Sequence, residues 1–324
     1  MDLNQGQGEA NVVFEAQAHI HRHILNYATS MSLGCALELG IPDIVHKHGQ
    51  PITIQELVSK LNLPIEKTLY LRRLMRLLIH SNFFSITNLH DQDDQAGYVL
   101  TAASKLLLNN TSKNQQNLLP FARLALDPHI VTPWKFLGKW FNENKSTNAF
   151  ENAYGIPIWE FTNKNPKFNR IFNDGMESDS QTMSLVVKDC QAIFEGVESL
   201  VDVGGGTGLF AKLLIEAFPH MTCTNVLHDW SEDKALKILK RCREAIRFAG
   251  DKGKVIIIDM VVDDKHDQHE ITETKMIFDM LMMVLVAGSE RTKVEWEKLF
   301  LEAGFSQHKI TPKFGLRSLI EVFP

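Results

Sequence analysis

Apolar residues recur at helical spacing over the first third of the chain. The pattern predicts a helix over residues 14–40 that is closed by Gly40. A short helix, a turn at 62–64, a longer helix through Ile79 and a strand follow, and residues 97–108 add a second strand and a helix. This order of helix, turn, helix and hairpin is typical of a winged-helix-like domain.

A winged-helix-like pattern raises DNA binding as one function. The longer helix carries Lys67, Arg72, Arg73 and Arg76, but these alternate with leucines, which favours an apolar face that packs on a partner. The net charge of −5 and the pI of about 6.2 give no basic footprint for nucleic acid. We therefore interpret this region as an association domain and predict no nucleic-acid partner.

Residues 115–195 are rich in aromatic side chains and mostly helical in pattern. Such a segment is suited to covering an apolar ligand. Trp134, Trp140 and Trp159, taken singly, are better explained as core residues.

Strands and helices alternate from residue 197 onward. A strand at 199–203 leads into a helix at 208–217, and Ser231 is a natural N-cap for a later helix. The near-continuous apolar run "VIIIDMVV" is typical of a strand buried on both faces of a parallel sheet. Two further helices, at 272–286 and 293–303, precede a closing pair of strands. The alternation predicts an open α/β nucleotide-binding sheet.

Two glycine fingerprints overlap in "VDVGGGTGLFA" at the end of the first of these strands. Gly206-x-Gly208-x-x-Ala211 fits a dinucleotide site, whereas Gly204-x-Gly206-x-Gly208 after an acidic Asp202 fits a methyltransferase. A dinucleotide site also needs a carboxylate about 20 residues further on, where this chain has "HMTCTNV". This makes an NAD-dependent dehydrogenase a distant alternative.

Composition limits the compartment and the cofactor. The four cysteines of the 324-residue chain are far apart, which suggests neither a zinc site nor a disulfide scaffold, and we predict no metal. The N-terminus lacks a basic-then-apolar signal pattern, and the apolar run at 280–288 is too short to span a bilayer. We therefore predict a cytoplasmic protein with no membrane partner.

Several motifs in order resemble the plant small-molecule O-methyltransferases that use S-adenosylmethionine (SAM), among them enzymes acting on resveratrol, orcinol and isoflavonoids. The motifs are "LVDVGGGTG", "VLHDWSED", "GKVIIIDM", "FDMLMM", "GSERTKVEWEKLFLEAGF" and "GLRSLIEVFP". The resemblance implies an α/β fold, a Rossmann-like methyltransferase sheet behind a mostly helical, winged-helix-like dimerisation domain. It implies a dimerisation domain at 1–112 and a methyltransferase domain at 113–324, with a substrate-covering part at 113–195 and the sheet at 197–324. It also implies a homodimer that uses SAM as cofactor. The implied substrate is a phenol such as a stilbene, a flavonoid or a simple phenol.

The resemblance also assigns the catalytic residues. A phenol has a pKa near 10, so a base must take its proton at neutral pH as the oxygen attacks the methyl group. His228 of "LHDW" matches the family's base, flanked by Asp259 at the end of "VIIID" and by Glu290 of "GSER". The residues alone favour a different role for Glu290, a surface ion pair with Arg291.

Cofactor and substrate residues follow from the same resemblance. Gly204, Gly206 and Gly208 match the loop that lines the methionine part of SAM, with Asp202 supporting it, and Ser180 matches a contact to the carboxylate end. Phe172 and Met176, one helical turn apart, match residues that grip the substrate ring. Core packing remains the alternative for Met176.

The chain departs from the family between Thr224 and Asn225. Only three residues separate Thr224 from His228, whereas a parallel crossover needs a dozen or more. About 30 residues, one βαβ unit, are therefore missing, and with them the acid for the ribose, the adenine wall and a lysine before the histidine. Either the sequence omits a segment or the gene product is shortened. A shortened product is expected to bind SAM poorly, which leaves the alternative of a catalytically impaired homologue that acts only as a dimer partner.

Overall fold

The computed structural model describes residues 3–90, 93–109, 116–181, 227–246, 253–263 and 267–324, together with Leu185 and Asp189. The chain divides into two compact units, Met1–Leu126 and Asp127–Pro324. The predicted domain boundary at 112/113 lies outside the described residues and stays a prediction.

The first unit consists of helices and one antiparallel hairpin. Its helices are α1 (Leu3–Leu25), α2 (Tyr27–Glu38), α3 (Ile41–His48), α4 (Ile54–Lys60), α5 (Thr68–His80), α6 (Ala102–Lys105) and α7 (Leu119–Ala125). The hairpin pairs β1 (Phe84–His90) with β2 (Asp93–Leu100). Helix, turn, helix and hairpin therefore follow one another as predicted, and Asn62 in the predicted turn has a left-handed φ of 52°.

One predicted helix of this unit is divided into two helices in the structure. The single helix expected over 14–40 is interrupted at Asn26, whose N–H donates to the carbonyl of His23 rather than to the residue four positions back. Asparagine is a poor helix former because its side chain competes for backbone hydrogen bonds, which explains an interruption here. The chain then leaves α2 through Gly40, where φ is 67°.

The core of the first unit is almost wholly apolar. Residues from α2 to α5 and from the hairpin form one cluster that includes Ile52, Leu57, Met75, Leu78 and Phe84. By contrast, α1 leaves large apolar side chains exposed, namely Val12, Val13, Phe14, Ile20, Ile24 and Leu25. Exposed apolar side chains along one helix are typical of an association surface.

The second unit begins with short helices that surround an aromatic cluster. They are α8 (Pro128–Val131), α9 (Leu137–Phe141), α10 (Ala149–Tyr154), α11 (Ile158–Lys164) and α12 (Pro166–Gln181). The prediction that Trp134 and Trp159 are core residues is wrong, because 36% and 42% of their surfaces are exposed. Both lie on the surface of this helical layer, whereas Phe150, Phe161 and Phe168 fill its interior.

Beyond these helices, the described residues of the second unit form a mixed sheet and three further helices. The sheet has the order β4-β3-β6-β5, with β3 (Val255–Val262), β4 (Arg291–Thr292), β5 (Gln307–Phe314) and β6 (Arg317–Phe323). The β3 strand pairs in parallel with β4 and antiparallel with β6. Seven of its eight residues are buried, as its apolar run predicted. The helices are α13 (Glu232–Ile246), α14 (His269–Leu285) and α15 (Lys293–Ala303).

No described helix combines the length and apolar character that crossing a bilayer requires. The predicted strand at 199–203, the helix at 208–217 and the junction at Thr224 lie outside the described residues.

Candidate active site

His228 lies in a single 3-10 turn, Leu227–Asp229, shortly before α13 begins at Glu232. Leu227 is buried in the apolar core of the second unit and anchors the turn. The carbonyl of Ser231 accepts the first helical N–H groups of α13, from Lys234 and Ala235. The turn thus fixes the imidazole at the edge of the core, with 24% of its side chain exposed.

Asp259 is the direct partner of this imidazole. Nδ1 of His228 lies 2.9 Å from Oδ1 of Asp259, which also accepts the N–H of Met260 at 2.9 Å. The carboxylate is buried, with the residue 2% exposed. Its place at the end of "VIIID" gave the expectation that Asp259 stands at the C-terminal end of its strand, and this is wrong, because β3 continues to Val262 and pairs there with β4. The side chain therefore projects from within a strand, where Asp259 pairs with Ser318 of β6.

Glu290 completes a cluster with these two residues. It directly precedes β4, is 7% exposed, and its N–H donates to Oδ1 of Asp279 on α14 at 2.9 Å. One ring nitrogen of His228 and one carboxylate oxygen each of Asp259 and Glu290 lie within 4.8 Å of one another. The alternative of a surface ion pair between Glu290 and Arg291 is wrong, because both residues are buried and Arg291 bonds to backbone carbonyls instead.

The cluster shifts the proton affinities of its members. Burial alone would lower the pKa of His228, but the charge and hydrogen bond of Asp259, with Asp229 and Glu290 adding to them, raise it to about 10. Burial, and then the charge of Asp259, raise the pKa of Glu290 to about 8, against the opposing pull of His228. The site therefore strongly favours positive charge on His228 and resists negative charge on Glu290.

Two carboxylate oxygens of the cluster are buried without a hydrogen-bond partner among the described atoms, Oδ2 of Asp259 and Oε2 of Glu290. Such groups are rare in folded proteins and call for an explanation in function. Together with His228 they also form a donor set that one cation could use. The prediction of no metal stays a prediction.

The helix α12 carries the residues assigned to substrate and cofactor. Phe172, Met176 and Ser180 follow one another at turns of this helix, and all three are half-buried. The ring of Phe172 meets that of Trp159 edge to face, with centroids 5.7 Å apart. Partial exposure of Met176 argues against its being a plain core residue. Asp202, Gly204, Gly206 and Gly208 lie outside the described residues.

Four residues of the site were not predicted from the sequence. Asp229 lies beside His228, with Oδ1 3.7 Å from Nε2, and burial raises the pKa of its carboxyl. Asp279, Gly288 and Arg291 contact the backbone of Glu290 or of the His228 turn. Asp229 could have been found as the neighbour of the base in "LHDW". The other three act across long sequence separations, for which the chain carries no local signal.

Family models match both parts of the chain. A model described as the O-methyltransferase dimerisation domain matches residues 21–110, and one described as the O-methyltransferase domain matches 134–226 and 223–306. The trans-resveratrol di-O-methyltransferase of Vitis vinifera is 43% identical over 362 positions, covering 100% of both chains. The chain belongs to the plant phenolic O-methyltransferases. A further relative, the isoflavone 4'-O-methyltransferase of Lotus japonicus, is 40% identical and also covers 100% of both chains.

Solved structures show the same fold for this O-methyltransferase. The SAH-bound methyltransferase CalO1 of calicheamicin biosynthesis has a TM-score of 0.76 at 19% identity, covering 96% of this chain and 99% of its own. Human N-acetylserotonin methyltransferase in complex with SAM has a TM-score of 0.73 at 16% identity, covering 95% and 97%. SAM is the cofactor, and the assignment of Gly204, Gly206 and Gly208 to its methionine part stays a prediction.

The comparisons also agree with the departure predicted after Thr224. The O-methyltransferase model matches in two segments that meet at residues 223–226. The alignment to the Vitis vinifera relative covers 362 positions, 38 more than this O-methyltransferase has residues. Its relatives therefore contain an internal segment that this chain lacks.

Proposed function

We propose that this chain transfers the methyl group of SAM to a phenolic hydroxyl with His228 as general base, oriented by Asp259 and Glu290. The observation that carries the proposal is the 2.9 Å contact between Nδ1 of His228 and Oδ1 of Asp259. With Nδ1 donating to the carboxylate, Nε2 is the nitrogen that accepts a proton. Its nearest carboxylate oxygen, on Asp229, is 3.7 Å away, too far for a hydrogen bond.

The residues around His228 suit the charge of the cofactor. SAM, when bound, supplies a methyl group on a positively charged sulfur, and that sulfur becomes a neutral thioether as the methyl leaves. Asp229, Asp259 and Glu290 supply the acidic surroundings that raise the pKa of His228, and the same surroundings favour any other cation. As the phenolic oxygen accepts that methyl group, its proton would move to Nε2 of His228.

The base must be neutral before it accepts a proton. A pKa of about 10 keeps the imidazole protonated at neutral pH in the ligand-free site. A positive charge brought near an imidazolium lowers its pKa. We therefore infer that His228 gives up its proton to solvent when the site fills. The apparent pKa in the pH profile of kcat/KM, which reports the free enzyme, should consequently lie above that of kcat, which reports the complex.

The test is methyl transfer to resveratrol or to a resorcinol-type phenol by the wild type and by His228→Gln. We expect turnover to fall by about 10²–10⁴-fold, the usual contribution of a general base, while calorimetric affinity for SAM does not fall, because the variant has no imidazole proton to release on binding. His308→Gln is the matched control, since His308 contacts Glu297 at 3.4 Å from β5, at the opposite end of the described strand order from β4. Equal turnover in wild type and His228→Gln would contradict the base assignment.

We propose homodimerisation through the first unit, supported by the match of residues 21–110 to the dimerisation model and by the exposed apolar side chains of α1. The segment missing after Thr224 favours a second candidate function, that of a partner for full-length relatives without turnover of its own. Intact mass confirming 324 residues, no SAM binding and co-purification with an active relative would favour it. Micromolar SAM binding with turnover by the verified chain would exclude it.

A further inference from the structure

Arg291 is a fully buried cation that no described carboxylate neutralises by a hydrogen bond. Its side chain is 1% exposed, and its nearest ion-pair contact, from Nε to Oε2 of Glu232, is 3.6 Å long. The face of its guanidinium lies 5.2 Å from the ring centroid of Trp296. Burial of a charge is costly unless hydrogen bonds compensate it, so the groups that Arg291 does bond to are significant.

Besides a long bond to the carbonyl of Ser289 at 3.4 Å, Arg291 donates to the turn that carries the base. Nη1 donates to the carbonyl of Leu227 at 3.2 Å, and Nη2 donates to that of Trp230 at 3.0 Å. These two carbonyls stand on either side of His228 and Asp229. Because the guanidinium is rigid and planar, its two nitrogens fix the distance and angle between the ends of the turn. A lysine carries all its N–H groups on one nitrogen, so it cannot span the two carbonyls with the fixed spacing of the guanidinium.

The residues before Arg291 contact the backbone of the same turn. The N–H of Ser289 donates to the carbonyl of His228 at 3.1 Å. A Cβ on Gly288 would lie 1.9 Å from that carbonyl oxygen and 2.9 Å from the carbonyl carbon of Asp229, so only glycine permits this approach. The preceding Ala287 has a φ of 58°, a strained conformation that persists where the surroundings impose it.

The same segment also positions Glu290, the second carboxylate partner of His228. Glu290, between Ser289 and Arg291, places its carboxylate in the cluster with His228, while Asp279 fixes its backbone at 2.9 Å. Trp296, which packs on Arg291, donates from Nε1 to the carbonyl of Met260, next to Asp259. One short segment therefore links the backbone of the base to both of its carboxylate partners.

We propose that Gly288–Arg291 is a clamp that holds the His228 turn in register with Asp259, and that Arg291 is its positioning residue. Arg291 acts through the backbone of the turn and does not touch the reacting atoms. Only the expected effect of the clamp on turnover rests on the proposed function of His228. Its effect on the His228–Asp259 contact can be measured without turnover.

Two variants test the clamp without changing the charge of the site. Arg291→Lys removes the two-pronged contact, and Gly288→Ala pushes on the carbonyl of His228. In both, we expect the NMR titration of the His228 ring, assigned by comparison with His228→Gln, to move from about 10 toward an ordinary value as the turn leaves Asp259. We expect kcat to fall by about 10- to 100-fold, as for other residues that orient a functional group, with KM for the phenol changed by less than about threefold.

Lys254→Met is the matched control, because it removes a partly buried ion pair with Glu321 in the same unit. Glu321 pairs with Ile256 in the sheet, whereas Asp259, the partner of His228, pairs with Ser318. It should lower thermal stability and leave the His228 titration unchanged. A titration in Arg291→Lys and Gly288→Ala that matches the wild type would overturn the clamp, whatever happens to stability. A shifted titration with unchanged kcat would support the clamp and refute the base role, so the two proposals fail separately. If Arg291→Lys does not fold, the Gly288→Ala titration decides alone.

Discussion

The two units of this methyltransferase bury different kinds of side chain. The core of the first unit consists of aliphatic and aromatic residues, and its buried polar side chain among the described residues is Ser104. Every buried charged side chain among the described residues belongs to the second unit, namely Asp259, Lys275, Glu290, Arg291 and Glu321. Apolar packing is sufficient for a domain that associates, whereas chemistry on a phenol requires charge inside the fold.

The buried charges of the second unit also differ from one another. Lys275 is saturated, because its Nζ donates to the carbonyl of Val261 and to Asp267, and Glu321 is paired with Lys254. Asp259 and Glu290 each keep one buried oxygen without a partner among the described atoms. Buried charges with complete partners are compatible with a purely structural role, while incomplete ones and shifted pKa values concentrate at functional sites. This difference separates scaffold from site within one unit.

The largest expected effect is the loss of the partner of a saturated buried charge. Asp267→Ala leaves the ammonium of Lys275, which is 3% exposed, without its carboxylate. We expect the free energy of unfolding to fall by about 3–5 kcal/mol in urea titrations followed by tryptophan fluorescence. Lys275→Met should cost less, because Asp267 stays partly exposed. The exposed pair Lys164–Glu160 is the control, and Lys164→Met should cost less than about 1 kcal/mol. Equal costs at the two sites would remove the distinction between buried and exposed pairs.

A smaller effect is expected from replacing Glu290, whose buried carboxyl has a raised pKa, with its neutral isostere glutamine. Folded Glu290 keeps its proton up to about pH 8, whereas the unfolded chain releases it near the ordinary value of 4.5. The folded state then binds more protons between these values, so stability falls as pH rises through this window. Glu290→Gln should flatten this fall, with the mutant gaining about 3–4 kcal/mol on the wild type between pH 5 and pH 8. Urea titrations at several pH values measure this, and parallel curves for the two proteins would contradict it.

Periodicity predicted the elements of both units, but not the detailed contacts of the site. The buried strand β3 and the helices α14 and α15 follow from apolar patterns that act over a few residues. The pairing expected between Glu290 and Arg291 failed because successive residues of an extended chain point to opposite sides. One side chain enters the His228 cluster, and the other reaches the carbonyls of the turn. The fit of Gly288 against His228 joins positions 60 residues apart, and no short pattern encodes it.

The smallest effect compares the same local motif in the two units. Thr53 accepts the N–H of Glu56 at 3.2 Å and Thr292 accepts that of Glu295 at 3.3 Å, and each glutamate returns a bond to the threonine N–H. Since both are capping boxes at the start of a helix, each Thr→Ala change should cost about 1 kcal/mol. Hydrogen exchange of amides in α4 and α15 localises the loss to the unit that carries the change.

The position of Thr292 makes this comparison informative about the site as well. It directly follows Arg291, yet its side chain bonds to Glu295 rather than to the His228 turn. Thr292→Ala should therefore weaken α15 as much as Thr53→Ala weakens α4 and leave the NMR titration of His228 unchanged. A shifted titration in Thr292→Ala would mean that any loosening near β4 disturbs the base. In that case the effect of Arg291→Lys could no longer be credited to its two carbonyl contacts.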